Sequence, residues 1–174
     1  WLVDSDTGMQ TPLVAGAGSH LQPRWSPDGT RLAYVSSNEG GRTQLFVRWM
    51  ANGSAARIAD LVSTPDEISW SPDGKFIAFT MFIPDEEATL GESPAKPEGA
   101  TWAPPLVVVT NVIYRADGEG NLNAGYTHAF VVPSEGGAPP QLTFRAFNNG
   151  ATAWEGGSIA SAFGRLRVSV LRAL

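Results

Sequence analysis

Short apolar stretches alternate with turn-forming residues along the chain, which predicts many short β-strands joined by tight turns. Residues 31–36 and 75–80 each combine aromatic and aliphatic side chains with a central alanine. Apolar residues on both faces suit a strand covered on each side by a neighbouring sheet about 10 Å away. Residues 44–49 alternate as a further strand, and a hairpin turn at 51–54 leads into a short strand at 56–59.

Two more hairpins are predicted at either side of these strands. Near the start, residues 1–4 and 12–14 flank the turn-forming run Ser-Asp-Thr-Gly at residues 5–8. Further along, residues 127–132 and 141–143 flank a Ser-Glu-Gly-Gly turn. Both hairpins have the form expected for the two outer strands of a larger sheet.

One twelve-residue pattern occurs twice, with a spacing of 45 residues: PRWSPDGTRLAY at 23–34 returns as ISWSPDGKFIAF at 68–79. In each copy a strand ends in tryptophan, and Ser-Pro-Asp-Gly then forms a turn. Proline presets φ near −65°, aspartate tolerates the next position and glycine takes a positive φ. A period of roughly 40–50 residues is typical of a four-stranded propeller blade. The repeat residues are Trp25, Pro27, Asp28, Gly29, Trp70, Pro72, Asp73 and Gly74.

A third copy at residues 152–163 keeps Trp154 but lacks the proline and the aspartate. Trp154 follows Trp70 by 84 residues instead of 45, so this blade carries an insertion. We therefore predict an all-β fold, a partial β-propeller of about two complete four-stranded antiparallel blades plus two partial ones. The blades are expected at 1–15 (end of a blade), 16–62, 63–145 with an insertion at 83–125, and 146–164 (start of a blade).

The tail at residues 165–174 matches no part of the repeat and is left unassigned. Closed propellers need four to eight blades, so we expect a fragment, an excised domain or a truncated gene product with exposed outer faces.

The charge of the chain bears on the partners that it can bind. The net charge is −5 and no basic block is present, which argues against nucleic-acid binding.

No apolar run approaches the roughly 18 residues of a membrane span. The chain has no cysteine, which excludes disulfides, thiolate metal sites and cysteine nucleophiles. The sequence is compatible with a cytoplasmic and with a periplasmic location of the protein.

Catalytic chemistry is not predicted within the chain. A Gly-x-Ser-x-Gly nucleophile elbow is absent, and Ser158 lies in the altered third copy as a turn residue. His128 shares one face of a predicted strand with Tyr126, Phe130 and Val132, so we expect a packed or rim histidine, whereas His20 is expected to be solvated in a Gly/Ser-rich linker. We expect no catalytic residue, no metal and no cofactor.

Oxygen-bearing side chains alternate just before the strand of His128, at Asp117, Glu119, Asn121 and Asn123. A calcium loop of this kind needs glycine at its sixth position and glutamate at its twelfth. Those positions hold Leu122 and His128, so we interpret the run as a turn.

The insertion supplies the candidates for substrate gating. Asp85, Glu86 and Glu87 form a carboxylate cluster at its start, and Arg115 is a cation in a segment with little charge. The alternative interpretations are a solvated loop for the carboxylates and a structural ion pair for Arg115.

The pattern Trp-Ser-Pro-Asp-Gly-x-x-Ile/Leu-Ala-Phe/Tyr resembles the TolB-type propeller repeat over roughly residues 1–163. That repeat occurs in TolB and in the N-terminal propeller of prolyl-oligopeptidase-family serine peptidases. Tyr-Arg-Ala-Asp-Gly-Glu-Gly at 114–120, together with 44–49, 72–82 and 125–133, looks like the acylaminoacyl-peptidase or dipeptidyl-peptidase-like branch.

The resemblance implies a non-catalytic propeller segment that gates the access of peptide substrates and docks against an α/β-hydrolase domain. That domain carries the catalytic triad in the family and is not recognisable here. In dipeptidyl-peptidases paired glutamates bind the substrate's α-amino group, a role that the resemblance suggests for the carboxylates of the insertion. The alternative is a TolB-like protein-interaction scaffold with no enzymatic role.

Overall fold

A computed structural model of the chain describes residues 1–15, 18–37, 43–85, 97–101, 115–117, 120–155, 158–163 and 167–172. These residues form fourteen β-strands and no helix. The strands are β1 (Leu2–Val3), β2 (Gln10–Thr11), β3 (His20–Trp25), β4 (Arg31–Ser37), β5 (Thr43–Trp49), β6 (Ala55–Arg57), β7 (Pro65–Trp70), β8 (Phe76–Pro84), β9 (Arg115–Ala116), β10 (Gly120–Asn121), β11 (Gly125–Pro133), β12 (Asn149–Glu155), β13 (Ser158–Phe163) and β14 (Arg167–Arg172).

Three antiparallel sheets follow one another along the chain. The first sheet has the order β3-β4-β5-β6, the second β7-β8-β11 and the third β12-β13-β14. A single bridge between Phe130 and Gln141 adds to the second sheet where a fourth strand was predicted. The pairs β1-β2 and β9-β10 are separate hairpins. The predicted partial propeller is confirmed: the sheets are all antiparallel and do not close into a ring.

The Ser-Pro-Asp-Gly turns have the geometry that the sequence predicts. Gly29 and its repeat partner Gly74 take φ of 70° and 69°. The Ser26 hydroxyl donates to Asp28 Oδ1 at 2.6 Å, and the Thr30 N–H donates to the same oxygen at 3.1 Å. These hydrogen bonds, that from Ser26 above all, lower the pKa of Asp28 to about 2. The serine of the repeat therefore stabilises the turn together with the aspartate.

The core lies between the first and second sheets. At its centre Phe79 is fully buried and stacks on Phe130, with ring centroids 5.6 Å apart. A smaller cluster of Ala78, Val131 and Ile159 joins the second sheet to the third. Successive residues of β8 thus pack on opposite neighbours, as expected for a strand covered on both faces. The main cluster includes Val35, Leu45, Val47, Ile68, Trp70, Ile77, Phe79, Phe130 and Val132.

The strand predicted at residues 12–14 is wrong, because β2 lies at Gln10–Thr11 instead. The Gly8 N–H donates to Asp4 O and the Asp4 N–H donates to Met9 O, both at 2.9 Å. The chain therefore reverses immediately after Gly8, and pairing with β1 begins at Gln10. Pro12 has no N–H with which to extend the ladder.

Most of the tail, which matches no part of the repeat, forms the strand β14 (Arg167–Arg172). β14 pairs with β13 from Phe163↔Arg167 to Ser158↔Arg172. The insertion also begins later than the residue pattern predicts, because β8 and β11 stay paired as far as Pro84↔Gly125. The second sheet therefore extends to the point where the insertion leaves it.

Candidate functional site

The tryptophans of the repeat connect successive sheets through one recurring hydrogen bond. The Trp70 indole N–H donates to Arg24 O at 2.9 Å, and the Trp154 indole N–H donates to Ser69 O at 3.2 Å. Arg24 and Ser69 occupy the same repeat position, immediately before the tryptophan of their own sheet. The second and third sheets are thus each tied back to the preceding sheet by the same pair of groups.

Trp25 lies in different surroundings from its two repeat partners. Its side chain is 48% exposed, whereas Trp70 is 9% exposed. Within the described residues, the Trp25 indole N–H meets no hydrogen-bond acceptor, because no inner strand lies on that side of the first sheet. The structure therefore places Trp70 and Trp154 between sheets and leaves Trp25 at an open face.

Arg31 is a second link between the first two sheets. Its guanidinium lies 5.0 Å from the Trp70 ring centroid, within the range of a cation–π interaction. Nη1 donates to Ser134 Oγ and to Glu135 Oε1, both at 2.9 Å, and Nη2 donates to Gly74 O at 2.7 Å. Comparison of the two repeat copies does not predict this contact, because the position of Arg31 is occupied by Phe76 in the second copy.

Replacing Arg31 by alanine is expected to lower the free energy of unfolding by about 2 kcal/mol, from lost hydrogen bonds to Gly74 and Ser134 and a lost cation–π contact. Urea denaturation at neutral pH measures the change. Arg57→Ala is the matched control, since Arg57 is half exposed and its ion pair with the exposed Asp60 spans 3.3 Å. That variant should lose less than about 0.5 kcal/mol. Equal losses in both variants would contradict the linking role of Arg31.

The innermost strands carry polar groups at a recurring bulge. Gln22 and Glu67, each three residues before a repeat tryptophan, take φ of 53° and 49°. The Gln22 amide donates to Asp66 Oδ1, and the Thr152 hydroxyl donates to Glu67 O at 3.3 Å. A left-handed conformation is uncommon outside glycine, so its recurrence marks a built feature of the inner edge. These groups offer hydrogen bonds and negative charge at the inner edge.

Two of the four predicted gating residues, Asp85 and Arg115, lie in the described part of the chain. Asp85 is exposed at the end of β8, where its N–H donates to Ala124 O at 2.9 Å. Arg115 is exposed in β9, opposite Asn121. Glu86 and Glu87 lie outside the described residues. Neither Asp85 nor Arg115 forms an ion pair with another described residue.

His128 is buried in β11, as the sequence predicts, and is 7% exposed. Its Nδ1 lies 3.2 Å from the Thr143 hydroxyl, which also accepts the Ala129 N–H at 3.0 Å. Burial lowers the pKa of His128, and the negative charge of Asp85 partly offsets this effect. The imidazole is therefore held neutral inside the second sheet.

The pKa of His128 predicts a loss of stability in mild acid. The unfolded chain protonates this histidine near its ordinary value of 6.5, while the folded chain resists protonation. The free energy of unfolding should therefore fall as pH drops through 6.5, and level off below the lowered pKa. His128→Gln should reduce this fall, measured by urea denaturation between pH 7.5 and pH 5. His20→Gln is the control, and it should leave the His128 contribution in place.

The described residues show no catalytic or metal-binding constellation. The hydroxyl beside His20 is that of Ser36, 2.9 Å from Nδ1, and no described carboxylate orients that imidazole as a triad requires. Ser158 lies at the start of β13, opposite Glu155. No three His, Cys, Asp or Glu side chains converge on a possible metal site in the described ranges.

Two residues of the alternating oxygen-bearing run, Asp117 and Asn123, are exposed. Glu119 lies outside the described residues, and the Asn121 side chain is likewise not described. In the part of the chain that the structure describes, no helix is long and apolar enough to cross a bilayer.

Comparison with known proteins identifies relatives that share this architecture. No protein-family model matches the chain. It is 30% identical over 154 residues to the uncharacterized peptidase YuxL of Bacillus subtilis, covering 88% of this chain and 23% of YuxL. It is also 30% identical over 78 residues to the Tol-Pal system protein TolB of Alcanivorax borkumensis, covering 45% of this chain and 18% of that protein.

A solved structure agrees with the fold. The acylaminoacyl peptidase of Pyrococcus horikoshii superposes with a TM-score of 0.63 at 19% identity, covering 91% of this chain and 22% of that protein. The chain thus spans less than a quarter of each of these relatives. Its Ser-Pro-Asp-Gly turns recur 45 residues apart, and its two indole links are made from the same position of the repeat. The chain therefore consists of TolB-type β-propeller repeats, and it is similar in sequence to the peptidase YuxL over most of its own length.

Proposed function

We propose that the chain is a non-catalytic propeller segment of a prolyl-oligopeptidase-family serine peptidase. In this role it gates the access of peptide substrates and docks against an α/β-hydrolase domain. The observation that carries the proposal is the extent of similarity to YuxL, which covers 88% of the chain. The similarity to TolB of A. borkumensis covers 45%. The shared sequence thus reaches well beyond one copy of the repeat in the peptidase and less far in TolB.

The insertion between β8 and β11 is the proposed gating element. It leaves the second sheet at Pro84↔Gly125, and the exposed Asp85 and Arg115 lie within it. The carboxylates of Asp85, Glu86 and Glu87 would attract the protonated α-amino group of a peptide. Arg115 would pair with a carboxylate of the substrate or of the hydrolase domain.

The coding sequence that flanks the chain provides the first test. A Gly-x-Ser-x-Gly elbow between a predicted strand and a helix, after further repeats, supports the proposal. Flanking repeats followed by a stop codon, with no elbow, would favour the TolB-like interaction scaffold. The chain alone is expected to hydrolyse nothing, so an activated ester should give no burst of product.

The gating role is tested in the product that carries the hydrolase domain. Replacing Asp85, Glu86 and Glu87 by Asn, Gln and Gln should raise KM for peptides with a free α-amino group and leave N-acylated peptides unaffected. Asp60→Asn is the control, because Asp60 is an exposed carboxylate of the first half of the chain. Equal changes for both substrate types would refute the gating role while leaving the peptidase assignment intact.

A further inference from the structure

Two Asn-Gly pairs occur in the chain, and the structure places them in different environments. Asn52 and Gly53 lie exposed in the turn between β5 and β6. Asn149, by contrast, is 3% exposed and begins β12, with Gly150 after it in the strand. Asparagine before glycine can close a five-membered imide ring, because no side chain screens the amide nitrogen of the glycine. The surroundings of each pair therefore decide whether the ring forms.

The side-chain carbonyl of Asn52 is polarised by two donors from one residue. The Ser54 N–H donates to Asn52 Oδ1 at 3.0 Å, and the Ser54 hydroxyl donates to the same oxygen at 2.7 Å. Donors at a carbonyl oxygen stabilise the negative charge that this oxygen acquires when a nucleophile adds to its carbon. The turn thus activates Cγ of Asn52 toward addition.

The nucleophile in such a ring closure is the amide nitrogen of the glycine, here Gly53. A Cβ on Gly53 would lie 3.3 Å from Arg48 Nη2, so a guanidinium lies close to this residue. A nearby positive charge stabilises the anion that forms when the amide loses its proton. The Gly53 N–H donates to Trp49 O at 2.9 Å and must leave this bond before it reacts. Exposed turns open locally at low free energy, so the bond does not prevent the reaction.

Asn149 has the opposite pattern of contacts. Its Oδ1 is buried and meets no donor among the described residues, so no group there stabilises charge on that oxygen. Its Nδ2 donates to Thr127 O at 3.0 Å, which holds the group that would have to leave. Asn149 therefore lacks both the contact with water and the donors that ring closure needs.

We propose that Asn52, activated by Ser54, is a site of spontaneous deamidation. Hydroxide removes the Gly53 amide proton, and the nitrogen adds to Asn52 Cγ. The intermediate collapses with cleavage of the Cγ–Nδ2 bond, and ammonia leaves with a proton taken from water, which regenerates hydroxide. Water then opens the succinimide ring. Cleavage between the ring nitrogen and Cγ gives aspartate, and cleavage between that nitrogen and the main-chain carbonyl carbon gives isoaspartate.

Isoaspartate lengthens the turn between β5 and β6, because the main chain then runs through the side-chain carbons. The Trp49 N–H donates to Ser54 O across this turn at 2.9 Å, and the longer turn disrupts that bond. Ile58 follows β6 directly, and its carbonyl accepts the Gly137 N–H at 3.0 Å. A loosened β6 therefore weakens a contact between the first sheet and the turn that follows β11.

Incubation of the chain at pH 7 and at pH 8 tests the proposal, with Asn149 as the control within the same molecule. Peptide mass spectrometry measures the conversion of amide to carboxylate at each position, and an isoaspartyl methyltransferase assay identifies the isomer. The products should form at position 52 at least about tenfold faster than at position 149, since loss of oxyanion donors slows addition by this factor or more. Equal rates at the two positions, or a rate at position 52 that does not rise with pH, would overturn the proposal.

Variants of the turn test the activation by Ser54. Ser54→Ala removes the hydroxyl donor and should slow the reaction about fivefold, the effect of one net hydrogen bond. Ser5→Ala is the matched control, because Ser5 is exposed in the turn after β1, and it should leave the rate unchanged. Asn52→Gln moves the carbonyl carbon one methylene group further and should abolish the reaction. An unchanged or higher rate in Ser54→Ala would refute the activation.

Hydrogen exchange tests the effect on the turn. In the aged chain, enriched in isoaspartate, the Trp49 amide should exchange faster than in the fresh chain. The Met50 amide is the control, because it donates to Thr30 O at 2.9 Å, outside the turn. Asn52→Asp has the charge of the products with a main chain of normal length, so its Trp49 amide should exchange as in the fresh chain. Unchanged exchange of Trp49 in the aged chain would contradict the disrupted turn.

Discussion

Phe79→Ala is expected to lower the free energy of unfolding by about 3–5 kcal/mol, the usual cost of truncating a fully buried phenylalanine. Phe79 belongs to β8 of the second sheet, and its side chain has no exposed surface. It packs in the main core between the first and second sheets. Its ring stacks on Phe130 with an interplanar angle of 13°. The alanine would leave a cavity at the centre of the main core, and sheets on both sides limit how far the surroundings can collapse into it.

Urea denaturation followed by far-ultraviolet circular dichroism measures this loss. Phe144→Ala is a matched control, because the same side chain is 75% exposed at that position. Its effect should stay below about 0.5 kcal/mol. If both variants lost the same stability, Phe79 would not lie in the main core.

Gly125→Ala is expected to cost more than about 2 kcal/mol, since it combines a strained φ with a steric clash. Gly125 takes φ of 146° at the first residue of β11. A Cβ there would lie 2.3 Å from Ile83 O and 2.8 Å from Pro84 Cα. Both are backbone atoms of β8, so the pairing of the two strands must shift to admit the methyl group.

Gly29→Ala isolates the cost of backbone conformation alone. Gly29 takes φ of 70°, and a Cβ at that position meets no atom within 4 Å. This variant should lose about 1 kcal/mol, the penalty of a left-handed conformation. In Gly125→Ala, amide hydrogens at the Gly125 end of β11 should exchange faster than in the unsubstituted chain. In Gly29→Ala, the exchange rates of the same amides should not change. Equal losses in both variants would mean that the strand pair tolerates the added methyl group.

The fold was predictable where the residues that determine it are neighbours in sequence. Ser26, Asp28 and Gly29 form the turn among themselves, so the turn, the strands on either side and the period could all be derived from a short pattern. The burial of β8 on both faces followed from its apolar composition. The buried position of His128 was predicted from the apolar residues that share its face.

Features that depend on distant residues gave no such signal. β14 is a strand because the edge of β13 offers unpaired backbone groups, and the residues of 165–174 alternate only weakly. Arg31 contacts Trp70 and Glu135. The two copies of the repeat have different residue types at this position, so their comparison does not single out Arg31. The left-handed Gln22 and Glu67 were missed because neither residue type favours that conformation.

The direction of the indole hydrogen bonds has a consequence for chain length. Trp70 reaches back to Arg24, and Trp154 reaches back to Ser69, so every such bond involves only two adjacent sheets. Duplicating or deleting one whole unit of the repeat would therefore leave every tryptophan that follows another unit with an equivalent acceptor. Architectures with contacts restricted to neighbours grow and shrink by whole units, so gene segments of this period can be exchanged without redesigning a shared core.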